Sequence, residues 1–231
     1  MIYIYERMIK KLFQYIHYFT QSLKNRGWLF TFKLLYNEWR WEKKLGIKTL
    51  RIENLENQNL GTFQNSDTFH HYQGASYYIL QNLFKKLPAD TKKKLFIDLG
   101  CGKGRVLAMA QINGFSKLYG IDISIDLIED SKKNLQFFNT SNTEITLKQA
   151  DASSFQFPEN TGTVFLFNPF GETVMKKVIE HALAYCQNKE NKLSIVYVNP
   201  GLEQLWVKAG FRCTYVIKSK KYTEAVILES P

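Results

Sequence analysis

The sequence predicts a doubly wound α/β fold, a mostly parallel seven-stranded sheet covered by helices on both faces and preceded by a helical extension. Three observations carry this reading. Short apolar runs alternate with helical patterns from residue 74 onward, the alternation that builds a parallel sheet with helical crossovers. The first three runs each deliver an aspartate at or just beyond their C-terminal end, where open α/β sheets bind ligands. The last two runs, 213–219 and 225–229, are joined by five residues. That is too short for a helix, so the pair is antiparallel.

The elements follow in order. Ile9, Leu12, Phe13, Ile16 and Phe19 recur at three-to-four spacing, so residues 1–45 read as helical, with a break at Asn25-Arg26-Gly27. Residues 46–72 lose this period and form an irregular connector, which sets an extension over 1–72 and a main domain over 73–231. Residues 75–87 predict a helix ended by Pro88. Strands are predicted over 94–99, 118–123, 144–148, 163–168 and 193–198. Helices are predicted over 105–112, 125–138, 172–186 and 202–209.

Bulk composition narrows the class. Hydrophobic residues form 45% of the chain and charged residues 23%, ordinary globular values that argue against disorder, and the sequence shows no internal repeat. Cys101, Cys186 and Cys213 form no Cys-x-x-Cys pair, which argues against a disulfide framework or a zinc site. The four histidines show no metal-ligand spacing, so no metal is expected. The N-terminus is interrupted by Glu6, Arg7, Lys10 and Lys11, unlike a signal peptide or membrane span. A cytoplasmic protein is the expectation. The net charge is +10, and residues 1–50 hold ten Lys/Arg against three Asp/Glu. That excess suits an acidic macromolecular partner, nucleic acid or protein, and equally suits simple solubility. Trp28, Trp39 and Trp41 interleave with Arg26, Lys33, Arg40 and Lys43 in the same segment. This pattern fits stacking on nucleic acid, packing onto the main domain, or contact with a membrane surface.

The strongest local signal is Phe96-Ile97-Asp98-Leu99-Gly100-Cys101-Gly102-Lys103-Gly104-Arg105. An apolar strand delivers an acid, passes through three alternating glycines and opens a helix. Glycines permit a sharp turn and close backbone approach to a ligand. The spacing is Gly-x-Gly-x-Gly, not the Gly-x-Gly-x-x-Gly of dinucleotide sites. Asp98 beside the turn repels a pyrophosphate and favours a ligand carrying an ammonium. Asp122 closes the second strand, near the offset at which an acid meets ribose hydroxyls, and Asp151 follows the third. Each aspartate taken singly also suits a helix cap or turn. Cys101 lies within the turn, but no histidine is placed in sequence to activate it as a nucleophile.

The stretches FIDLGCGKGR, YGID and KQAD resemble motif I, its acidic partner and the adenine-side motif of class I S-adenosylmethionine (SAM)-dependent methyltransferases. The resemblance covers roughly residues 70–231. It implies strand order 3-2-1-4-5-7-6 with strand seven antiparallel, SAM as cofactor, and methyl transfer as the activity. It also implies site roles. Asp98, Gly100, Gly102 and Gly104 border the methionine part of SAM, with Cys101 in the same turn. Asp122 holds the ribose, Asp151 bonds the adenine amino group, and Ile123 and Ala152 complete the cofactor contacts.

The fourth strand ends Phe167-Asn168-Pro169-Phe170-Gly171, similar to the Asn/Asp-Pro-Pro-aromatic motif of amino-directed methyltransferases but with one proline where that motif has two. By this resemblance Asn168 and the Pro169 carbonyl orient an acceptor nitrogen beside the cofactor, and Phe170 holds the acceptor. Asn-Pro is also a common turn signal, repeated at Asn199-Pro200. Tyr72, just before the first domain helix, is placed to cover the cofactor or line the substrate entrance, with core packing as the other reading. Residues 25–49 resemble the lead segment of bacterial methyltransferases of unassigned substrate that share the Asn-Pro-Phe ending. A methyltransferase-fold module without catalysis, serving RNA binding or assembly, is the alternative function. Aminopropyl transfer is disfavoured, because Asn-Pro-Phe stands where an acidic loop would hold a polyamine.

Overall fold

A computed structural model describes residues 16–47, 49, 74–136, 138, 142–167, 170–188 and 190–231. Seven strands form one sheet: β1 (Leu95–Leu99), β2 (Lys117–Asp122), β3 (Glu144–Gln149), β4 (Thr161–Phe167), β5 (Ser194–Val198), β6 (Arg212–Lys218) and β7 (Thr223–Glu229). Their order is β3-β2-β1-β4-β5-β7-β6. The first five strands pair in parallel, and β7 lies antiparallel between β5 and β6. The hairpin inferred from the short 220–224 connection is therefore present, with its second strand inserted inward.

The helices are α1 over residues 16–26, α2 (Trp28–Leu45), α3 (Tyr77–Phe84), α4 (Arg105–Ile112), α5 (Ile125–Leu135), α6 (Glu172–Cys186) and α7 (Glu203–Lys208). The break at Gly27 is real: its φ of 82 is a left-handed value that an L side chain rarely adopts. α3 stops at Phe84, three residues short of the predicted end, and the chain turns through 85–87 before Pro88. The residue before a proline is pushed out of helical backbone, which bars the helix from Leu87; Lys85 still has helical backbone angles as the cap.

Successive residues along a strand point to opposite faces, and the core divides accordingly. Phe96, Phe165, Val196 and Ile227 pack on one face with α2, α3 and α4. Ile97, Val164, Ile195 and Val226 pack on the other with α6 and α7. Both faces are covered, which explains the nearly continuous apolar strands β4, β5 and β7. The edge strands β3 and β6 alternate between exposed and more buried positions, with Ile217 of β6 reaching the core.

The 72/73 boundary lies outside the described residues, but the described part of the extension joins the main core. Trp41 and Ile47 are buried in the cluster that includes Tyr77 and Leu80. Burying such side chains stabilises by roughly 2–3 kcal/mol each. Polar contacts fix the register. Arg26, at the end of α1, grips the buried Glu224 of β7 through two nitrogens at 2.6 and 3.1 Å.

A second latch lies deeper. Arg105, the first residue of α4, is only 3% exposed. Its guanidinium donates to Glu38 at 2.8 Å, Glu42 at 3.1 Å, Thr49 Oγ1 at 2.6 Å and the Ala75 carbonyl at 3.0 Å. It also lies 4.3 Å from the Tyr77 ring centroid. Gly74 completes the cage, since a Cβ there would come within 2.8 Å of the guanidinium carbon. One cation is shared by two carboxylates, and burial outweighs it at Glu38, whose carboxyl is raised above its ordinary range.

Arg105→Met should destabilise the protein by about 3–5 kcal/mol in urea unfolding, because it strands two partly buried carboxylates. Adding Glu38→Gln and Glu42→Gln should recover much of that loss. A negligible loss in the single variant would contradict the role given to the cage.

Candidate functional site

The sheet reverses its winding between β1 and β4, with β2 and β3 on one side and β5 on the other. That switch point opens the crevice in which such sheets bind ligands. The register aligns the strand ends: Leu99 lies beside Ile121 and Leu166, and Asp122 beside Gln149. The glycine turn leaving β1 and the residues leaving β2, β3 and β4 therefore share one edge.

The turn is held from several sides. The N–H groups of Gly100 and Cys101 both donate to the Ile121 carbonyl, at 2.9 and 2.8 Å. Gly100, Gly102 and Gly104 all have positive φ, at 85, 51 and 82, so the alternating glycines answer a backbone requirement. Gly104 has a second reason, because a Cβ there would come within 2.6 Å of Ser131 Oγ and 2.8 Å of Leu135 on α5. α5 also grips Lys103. Asp130 pairs with its ammonium at 3.4 Å, and Asn134 donates to its carbonyl at 2.9 Å.

Asp98 lies on β1 and is 1% exposed. Its Oδ2 is buried and meets no hydrogen-bond partner among the described residues. Burial, and then the neighbouring Asp122 charge, push its carboxyl well above the usual range. Asp122 is also raised by burial, an effect opposed by backbone N–H donors. Gly102 N–H donates to its Oδ2 at 2.9 Å and Ser124 N–H to its Oδ1 at 3.0 Å. Each carboxylate oxygen has two lone pairs, so these bonds fix the group and leave acceptor capacity for hydroxyls.

Asp151 is partly exposed, and its Oδ1 accepts from Ser153 N–H at 2.7 Å. The turn-forming reading of these aspartates is thus realised in their backbone bonds at Asp122 and Asp151. Among the described residues Asp98 shows no such use for Oδ2. Ala152 is buried, Ile123 is partly buried, and the Ile123 carbonyl receives Gln149 Nε2 at 3.0 Å. Cys101 is buried, and burial together with Asp122 and Asp98 holds its thiol well above the ordinary value. That disfavours thiolate chemistry.

Phe170 is partly buried and packs against the α6 and α7 side of the core. Asn168, Pro169 and Tyr72 lie outside the described residues. The structure also brings in residues the sequence reading did not single out: Glu38, Glu42, Asp130 and Asn134. The last two sit four apart on one face of α5, a spacing that places both over the turn.

A buried carboxylate oxygen with no donor among the described residues, beside a glycine turn, fits the ammonium of an amino-acid-bearing cofactor. The charge at Asp98 and Asp122 makes the same edge hostile to a pyrophosphate. The linkage has a definite sign. With its value raised in the fold, Asp98 contributes most to stability when protonated in acid, and that contribution is lost as pH rises through the raised value. A bound cation favours the carboxylate, so binding should release a proton and tighten from acid toward neutral pH. Asp98→Asn should therefore melt higher than the parent at neutral pH, with the gap closing in acid, in thermal scans of the ligand-free protein. A lower melting point for the variant at neutral pH would contradict this electrostatic account.

Residues 96–197 match a family model described as a methyltransferase domain. None of the curated proteins matches the chain in sequence. Among solved structures, the glycopeptide N-methyltransferase MtfA complexed with SAM is similar at 12% identity and a TM-score of 0.52, over 66% of this chain and 86% of that one. The PH0226 protein of Pyrococcus horikoshii aligns at 16% identity and 0.51, over 66% and 88%. TrmN of Thermus thermophilus aligns at 18% and 0.51, over 68% of this chain and 49% of that one. At these identities the likeness is one of fold. Residues 96–197 are thus similar to a methyltransferase domain, and the chain is built on the Rossmann-like fold of these methyltransferase structures.

Proposed function

We infer that this chain is a SAM-dependent methyltransferase that modifies a nitrogen acceptor. The observation that carries the cofactor is the buried Asp98 oxygen beside the glycine turn, which has no hydrogen-bond partner among the described residues. When bound, SAM supplies an electrophilic methyl group on a sulfonium whose departure as a neutral thioether needs little acid catalysis. The chain's own contribution is then placement and exclusion of water.

In this reading Asp98 accepts from the ammonium of the methionine part, with the Gly100, Cys101, Gly102 and Gly104 backbone against it. Asp122, clamped by Gly102 and Ser124, holds the ribose hydroxyls. Asp151 accepts from the adenine amino group, and Ile123 and Ala152 offer apolar contact to the ring. Tyr72 closes over the cofactor or borders the acceptor's path.

The nitrogen rests on Asn168-Pro169-Phe170. The Asn168 side-chain oxygen and the Pro169 carbonyl accept the acceptor's N–H groups, which leaves the nitrogen lone pair aimed at the methyl carbon. Phe170 holds the acceptor against its ring. The residues name no single acceptor. A protein side chain, a nucleic-acid base and a small amine all present the required donors.

Two variants separate these roles. Asp98→Ala should weaken SAM binding by at least about tenfold in calorimetric titration, from loss of a charge-assisted hydrogen bond. Asn168→Ala should leave that affinity within a few-fold and abolish transfer of labelled methyl groups to an amine acceptor. Equal loss of binding in both would overturn the division of labour.

A further inference from the structure

We propose that the outward face of α2, extended by α1, docks the protein on an anionic lipid surface. α2 is apolar on two opposite sides. Phe30, Leu34, Trp41 and Leu45 face the core. Trp28, Leu29, Phe32, Leu35, Tyr36 and Trp39 form a stripe on the other side, at the spacing of one helical face. That stripe is in the open: Trp28 is 64% exposed and Trp39 62%. An apolar stripe on a surface helix is ordinarily the face it buries, yet here the buried face is already the opposite one. α1 continues the patch, with the Phe19 and Phe32 rings in edge contact at 6.4 Å.

Charge identifies the occupant. Within residues 16–47 the cations are Lys24, Arg26, Lys33, Arg40, Lys43 and Lys44, and the acids are Glu38 and Glu42. Both acids turn inward to Arg105, so none of the described residues of α1 and α2 brings a carboxylate to the outward face. Lys43 lies 5.5 Å from the Trp39 ring centroid, which sets it against the stripe, while Lys33 lies over Tyr78 and Arg40 and Lys44 over Trp41, between the stripe and the core-facing side. Trp, Phe and Leu on one side with Lys and Arg beside them is the make-up of helices that lie in a membrane interface. Leu29 and Leu35 offer nothing to a phosphate or a base, but they gain by burial among acyl chains, which favours lipid over nucleic acid. A second copy of the chain would bring like cations together across a two-fold contact. No described helix is long and apolar enough to cross a membrane, so the contact is one of surface attachment. The proposal does not depend on the methyl acceptor.

The full chain should float with vesicles of phosphatidylcholine and phosphatidylglycerol, and weakly or not at all with phosphatidylcholine alone. Tryptophan emission should shift to the blue as Trp28 and Trp39 enter the interface. Lys43→Ala should weaken binding about fivefold, and Phe32→Glu should abolish it while leaving the melting curve intact. The proposal is overturned if the folded protein ignores anionic vesicles, or if Phe32→Glu binds them as the parent does. It is equally overturned if a single-stranded RNA oligomer is bound in their place, or if sedimentation shows a dimer that Phe32→Glu dissolves.

Discussion

The burial of Arg105 is the constraint on which the arrangement of this chain turns. The residue directly follows the glycine turn, and its cation has no route to water. A lone buried charge of this kind would cost several kcal/mol, so the fold must bring carboxylates to it. They come from α2, 63 and 67 residues earlier in the chain. The extension is thereby tied to the first turn of α4 and to the segment entering α3. Trp41 and Ile47 add apolar contact, and Arg105 decides which side of α2 faces inward. The same demand explains the surface of the extension, because turning both acids toward Arg105 leaves the opposite side aromatic and basic.

A second tension lies across the sheet edge. Two aspartates are buried close together, and only Asp122 has its carboxylate clamped by backbone N–H groups at both oxygens. Asp98 is held in a position that suits a bound cation better than it suits burial beside a second acid. Groups kept at a cost to stability often mark where a ligand restores the balance. Stability and affinity for a cationic ligand thus pull against each other at this one carboxyl.

Much of the site was legible because it is local. A strand, a turn that must reach positive φ and the helix after it lie within ten residues, so Asp98 and the glycines declare themselves by type and spacing. The helices after β1 and β4 are legible near residues 105–112 and 172–186, where the structure has them, each opening after a glycine. The final hairpin was readable from its five-residue connection. Its insertion as β5-β7-β6 was not, since no local pattern says which strand of a hairpin meets the sheet; that order came from the family resemblance.

The Arg105 cage was illegible for the same reason: Glu38 and Glu42 look like ordinary solvent-facing acids of a helix, and their partner lies far along the chain. Gly74 is silent in sequence too, because its need is a close side-chain approach and not a turn. The grip of Asp130 and Asn134 on Lys103 likewise depends on how α5 crosses the turn.

The central claim is that the β1–β4 edge is built for a cationic amino-acid cofactor and against a dinucleotide. Calorimetric titration of the unaltered protein with SAM and, separately, with NADH tests it most directly. Saturable binding of SAM with release of protons, and no heat with NADH, is the predicted result. Binding of NADH, or no binding of SAM by the folded protein, would contradict it.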